Sequence, residues 1–116
     1  MAEPGRGLRI ALYVVSGLLT ALYLFAGIPK LMGEAQAVEG FKQLGGDAFR
    51  LFIGASEVAG AIGLWLPKLA FWAALGLAVI MVGAVFTHLS RAEAPTAAAI
   101  ALLCLLFVAW QRRRSG

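Results

Sequence analysis

One carboxylate inside an apolar run limits the fold of this chain more than any other feature. Residues 51–67 read LFIGASEVAGAIGLWLP, and Glu57 is the only charge among them. A run of about 17 residues, rising 1.5 Å per residue as a helix, crosses most of a hydrocarbon core roughly 30 Å thick. A charge at that depth costs a few kcal/mol, so it persists where it faces protein or water, where it is paired, or where it is protonated. The rest of the chain is therefore read as the setting of Glu57.

The remaining sequence follows the same plan. Charged residues make up 14% of the 116 residues and hydrophobic ones 61%, with a mean hydropathy of +0.86. A soluble domain carries about 25% charged residues. This composition predicts an integral membrane protein in contact with the lipid bilayer. Charges divide the chain into apolar segments at 10–29, 51–67, 69–90 and 94–111, each about the length of a spanning helix. None alternates with period two, which excludes a closed barrel. The expected fold is all-α: a four-transmembrane-helix bundle with helices near 8–29, 48–66, 69–89 and 95–111, forming a single domain over 1–116. The first segment is too long and too poor in small residues near its end to be a cleaved signal peptide, so it is expected to remain as a helix. Cys104 is the only cysteine, which leaves no intramolecular disulfide and no dithiol chemistry. No metal site is expected.

Lysine and arginine placement sets the expected orientation. Arg6, Arg9, Lys68, Arg112, Arg113 and Arg114 fall on one side of such a bundle. Lys30, Lys42, Arg50 and Arg91 fall on the other, diluted by Glu34, Glu39, Asp47 and Glu93. The positive-inside rule then puts both termini in the cytoplasm of a multi-pass protein in the cell (inner) membrane. The arginine run reads as a stop anchor or a contact with anionic lipid, and no nucleic acid is needed to explain the net charge of +4.

In the first segment Ser16, Thr20, Tyr23, Gly27 and Lys30 are spaced 4, 3, 4 and 3 and share one helical stripe. The stripe is expected to face the bundle interior, and the helix to kink or stop near Ile28 and Pro29. Between 31 and 47, Val38, Phe41 and Leu44 alternate with polar residues, which predicts a short interfacial helix. Gly45 and Gly46 should end it, with Asp47 as N-cap of the next helix. Such a helix could serve as a lid over the outer mouth of the bundle or only as a connector. Around Glu57, the positions three and four residues away include Gly54, Gly60 and Ala61, so another helix can approach closely. Arg50 shares the stripe of Glu57 but sits about 10 Å along the axis. Trp65 fits an interfacial belt. In the third segment Ala74, Leu77, Met81, Ala84 and His88 share a stripe, and the only histidine ends it. The last segment has no strongly polar interior residue and reads as a packing or lipid-facing helix.

Four stretches, taken in order, carry a resemblance: Phe25-Ala26-Gly27-Ile28-Pro29-Lys30-Leu31, Phe41-Lys42-Gln43-Leu44-Gly45, residues 54–64 around Glu57, and residues 81–89 ending in Thr87-His88-Leu89. Together the sequence resembles the DoxX-like family of small four-helix membrane proteins over about residues 10–110. The resemblance implies that Lys30, Glu57 and His88 fall on motif positions. It also implies a function near those of relatives linked to thiosulfate and quinone oxidation, to thiol or oxidative stress, or to receptor assembly. Two functions follow as expectations. One is a membrane subunit of a redox complex, binding a quinone-like or other small amphipathic ligand at a polar cluster of Lys30, Glu57 and His88, with Arg50, Thr20 and Tyr23 nearby. The other is a scaffold or assembly factor that binds another membrane protein or a second copy of itself. Heme is disfavoured, since a single histidine offers one axial ligand.

Overall fold

The structure, a computed structural model, describes residues 5–113. Arg114, counted above with the basic residues after the last segment, lies outside the described residues. Five helices form: α1 (Arg6–Met32), α2 (Ala35–Phe41), α3 (Gly46–Gly63), α4 (Ala70–Ser90) and α5 (Thr96–Arg112), with no strand among the described residues. The chain is all-α, as its patterning implied. By length and composition α1 and α4 are able to cross a membrane. α5 is apolar but shorter, and α3 carries Asp47, Arg50 and Glu57 within its 18 residues.

The four long helices pack most extensively as two pairs, α1 with α3 and α4 with α5. The first pair is drawn together by two glycines that face one another. A Cβ on Gly27 would meet Val58 Cγ2 at 2.9 Å and the Gly54 carbonyl oxygen at 3.0 Å, and one on Gly54 would meet Lys30 Cβ at 2.8 Å. Backbones approach this closely only where side chains are absent. Gly60 makes the same kind of room for Leu77 of α4, at 2.7 Å from the position a Cβ would take. The small face of α3 is thus shared between two neighbours. Leu12, Leu19, Leu64, Leu77, Leu105 and Val108 fill the core between the pairs. Large apolar side chains also point outward all round, among them Phe25 at 86% exposed and Val79 at 71%. An outer surface this apolar suits a lipid solvent.

Four local expectations change. α2 ends at Phe41 with Lys42 as its C-cap, so Gly45 and Gly46 do not end it and Gly46 instead begins α3. α1 does not stop at Pro29 but continues one turn to Met32, where Gly33 closes it with φ of 74° and donates its N–H to the Pro29 carbonyl. Proline disfavours the α conformation of the residue before it without forbidding it, and this last turn is held from outside: the Arg50 guanidinium donates to the Lys30 carbonyl, one of the terminal carbonyls that a helix cannot satisfy itself. Asp47 is not the N-cap of α3. Gly45 takes that position with φ of 97°, and Asp47 lies in the first turn, paired with Arg50 at 3.2 Å. α3 also ends at Gly63, earlier than expected, and residues 64–69 turn directly into α4.

The facing glycines give a direct expectation. Gly27→Leu should destabilise the protein by about 1–3 kcal/mol, the usual range for overpacking. Ala59→Leu, on the exposed face of α3, should stay within about 0.5 kcal/mol. Unfolding in detergent compares the two variants directly, and equal losses would remove the glycine contact as the origin of the α1–α3 approach.

Candidate functional site

The turns of the α1 stripe differ in what they meet. Ser16, Tyr23 and Gly27 are buried. The Thr20 hydroxyl donates to the Ala61 carbonyl at 3.1 Å and accepts from the Trp65 indole at 2.8 Å. Trp65 stacks on Tyr13 with ring centroids 5.9 Å apart, so the expected belt residue is fixed to α1. Thr20 therefore ties α3 and its following turn to α1 and is not part of the expected polar cluster.

Lys30 and Glu57 do meet. Their Nζ and Oε1 atoms are 2.8 Å apart, with the Glu57 side chain only 4% exposed. The Lys30 ammonium also donates back to the Ala26 carbonyl, one turn earlier, at 3.1 Å. The glycine pair makes this contact geometrically cheap, because Gly27 and Gly54 sit one turn before Lys30 and one turn before Glu57 in the same interface. Tyr23 is 1% exposed, and its enclosed hydroxyl has no hydrogen-bond partner among the described residues.

His88 and Arg50 take other partners. His88 Nδ1 lies 3.0 Å from Glu93 Oε1, an acid five residues on that follows the turn after α4. That nearby acid was visible in the sequence as Glu93, whereas stripe spacing alone pointed to Glu57. Arg50 pairs with Asp47 and caps α1, so neither residue joins the ion pair. Two further ties had no signal in spacing, because they run from long side chains to backbone carbonyls: the one from Arg50, and that from Arg91 Nη2 to the Gly40 carbonyl at 2.8 Å.

Lys30, Glu57, Tyr23 and His88 nevertheless line one cavity of about 800 Å³. It lies between the helix pairs, with Phe52 and Ile53 of α3, Ile80 and Ala84 of α4 and Ala98 and Ala101 of α5 as apolar wall, and Gln36, Gly40 and Phe41 of α2 over it. The volume falls in the roughly 300–1,000 Å³ range of small-ligand sites, which combine an apolar wall with a few polar groups. Among the described residues no group of histidine, cysteine and carboxylate side chains is placed to hold a metal ion. Chemically, the site offers a buried, neutralised charge pair at the edge of an apolar chamber.

Removing one partner of a buried pair strands the other charge, at a cost of about 3–5 kcal/mol. Lys30→Met and Glu57→Gln should each destabilise the protein strongly, and the double variant should lose less than the sum by about 1–3 kcal/mol. The cycle of Glu57→Gln with His88→Leu should be additive within about 0.5 kcal/mol, since those side chains have separate partners. Detergent unfolding of both cycles measures the contrast.

The sequence profile of the DoxX-like family matches residues 14–110, a stretch that holds the ion pair and every residue lining the cavity. No curated protein and no solved structure matches the chain. With a match over most of its length, and with apolar helices of spanning length, the chain belongs to the DoxX-like family and is a membrane protein.

Proposed function

We propose that this protein is a four-helix, multi-pass membrane protein in one domain, with both termini cytoplasmic, whose cavity binds a small amphipathic ligand of quinone-like chemistry. The observation that carries the reading is the 800 Å³ chamber with the Lys30 and Glu57 pair in its wall. α3 and α5 join α1 and α4 as spanning helices in this reading. Glu57 is tolerated at membrane depth because Lys30 neutralises it, and Arg50 because Asp47 and the Lys30 carbonyl take its donors.

The residues fit a quinone-like ring. An ammonium has three donors; Lys30 gives one to the Ala26 carbonyl and forms an ion pair with Glu57, which leaves donor capacity for a ligand carbonyl. The apolar wall accepts the ring and tail. A bound quinone would supply the electron chemistry; the protein would position it and keep water away. With Cys104 its only cysteine, the chain has no dithiol to exchange electrons with the ligand, so a redox role calls for a partner protein. The second reading, a scaffold for another membrane protein, draws support from the same ion pair, whose charges offset one another without any ligand.

The test is purification in a mild detergent, followed by mass spectrometry of extracted small molecules and of bound proteins. Ligand-binding predicts a co-purifying quinone or other amphipath that is lost in the Ala84→Trp variant, which fills the chamber from α4. A stoichiometric protein partner with no small molecule in either sample would favour the scaffold. For topology, reporter fusions after residue 113 should read cytoplasmic and fusions within residues 33–46 external; the reverse pattern would overturn the orientation.

A further inference from the structure

Basic side chains around the cavity mouth lie against carboxylates, with one exception. Lys30 is neutralised by Glu57 at 2.8 Å, and His88 faces Glu93 at 3.0 Å. Arg91 also lines the cavity, yet its guanidinium bonds only a neutral group, the Gly40 carbonyl at 2.8 Å, and has no carboxylate partner among the described residues. That bond matters mechanically. α2 packs on α1 and α3 but makes no backbone approach to α4 or α5. The bond from Arg91 therefore reaches from the end of α4 to a roof anchored on the other helix pair. Toward α4 and α5 the bond is the tie that holds the roof: no residue of α2 is buried, and left-handed glycines flank it at Gly33, Gly45 and Gly46.

We propose that Arg91 recognises the anionic head of a single-chain amphipath, a carboxylate on an apolar tail, exchanging the Gly40 carbonyl for that head as the tail enters beneath α2. A guanidinium binds carboxylate through charge-assisted, often bidentate bonds, about twice as strong as a bond to a neutral acceptor. The exchange is therefore favourable, and it frees α2 at the moment of entry. The tail then lies along the apolar wall. The inference rests on the previous subsection's reading that the cavity binds an amphipath, and puts a carboxylate head in place of the quinone ring, because a neutral quinone would leave Arg91 on Gly40.

The experiment uses the full chain in nanodiscs of phosphatidylcholine, with laurate and 1-dodecanol as probes of equal chain length. Apparent affinity is taken from the ligand dependence of Tm. Arg91→Gln removes the charge and keeps a neutral donor, and 1-dodecanol, which has no charge to lose, reports any change that comes only from loosening the roof. Laurate affinity should fall about tenfold in Arg91→Gln, matching the loss of one charge-assisted contact, while 1-dodecanol affinity stays within about twofold. A laurate affinity unchanged by the substitution, with both probes binding, would overturn the role of Arg91 and leave the cavity reading standing. Failure of both probes to bind the unmodified protein, with a quinone binding instead, would overturn this inference alone. Failure of all three would overturn both.

Discussion

The contact between Lys30 and Glu57 is the constraint to which the rest of the structure answers. A carboxylate in the middle of an apolar helix needs a cation within reach, and Lys30 meets it across an interface where α1 and α3 lie closer than ordinary side chains allow. Gly27 and Gly54 supply that closeness. The partner must also stay at its depth, which requires α1 to remain helical past Pro29. Arg50 secures that last turn through the Lys30 carbonyl, so one arginine of α3 supports the helix end that delivers the lysine to another residue of α3. Pairing, close approach and capping thus form one unit of local structure.

The sequence was most legible where a physical signal repeats along a helix. Apolar segment lengths located the four long helices, and stripe spacing put Ser16, Tyr23 and Gly27 inside. Small residues around Glu57 pointed to close packing, which Gly54 and Gly60 supply against two different helices. It was least legible where a long side chain reaches a backbone carbonyl. Arg50 and Arg91 each satisfy a carbonyl 20 and 51 residues away in sequence, and no periodicity encodes such a reach. His88 shows the related limit: a stripe says which face a residue occupies, while Glu93, lying just past the helix end, decides what the imidazole touches. Asp47 failed as a cap for the same reason, since Arg50 one turn on offered its carboxylate a cation.

The cavity follows from how the helices share their small faces. α1 and α3 spend theirs on each other, and α4 and α5 form the second pair, leaving the seam between the pairs less filled at the end where α2 lies. Alanines on α5, at Ala97, Ala98 and Ala101, keep that end of the seam open, whereas Leu105 and Val108 close it further along. A gradient of side-chain size along one helix is enough to turn a packing seam into a chamber.

At the far end from α2, the seam is sewn shut. Trp65 is bonded to Thr20 and stacked on Tyr13, and the Arg112 guanidinium of α5 lies 5.7 Å from the centre of the Tyr13 ring. Of these contacts the one from Arg112 crosses between the helix pairs, and the turn at 64–69 joins α3 to α4 at the same end. In a molecule 48 Å along its longest axis, the chamber and the aromatic knot therefore lie toward opposite ends, far enough apart that substitutions in one should add to substitutions in the other.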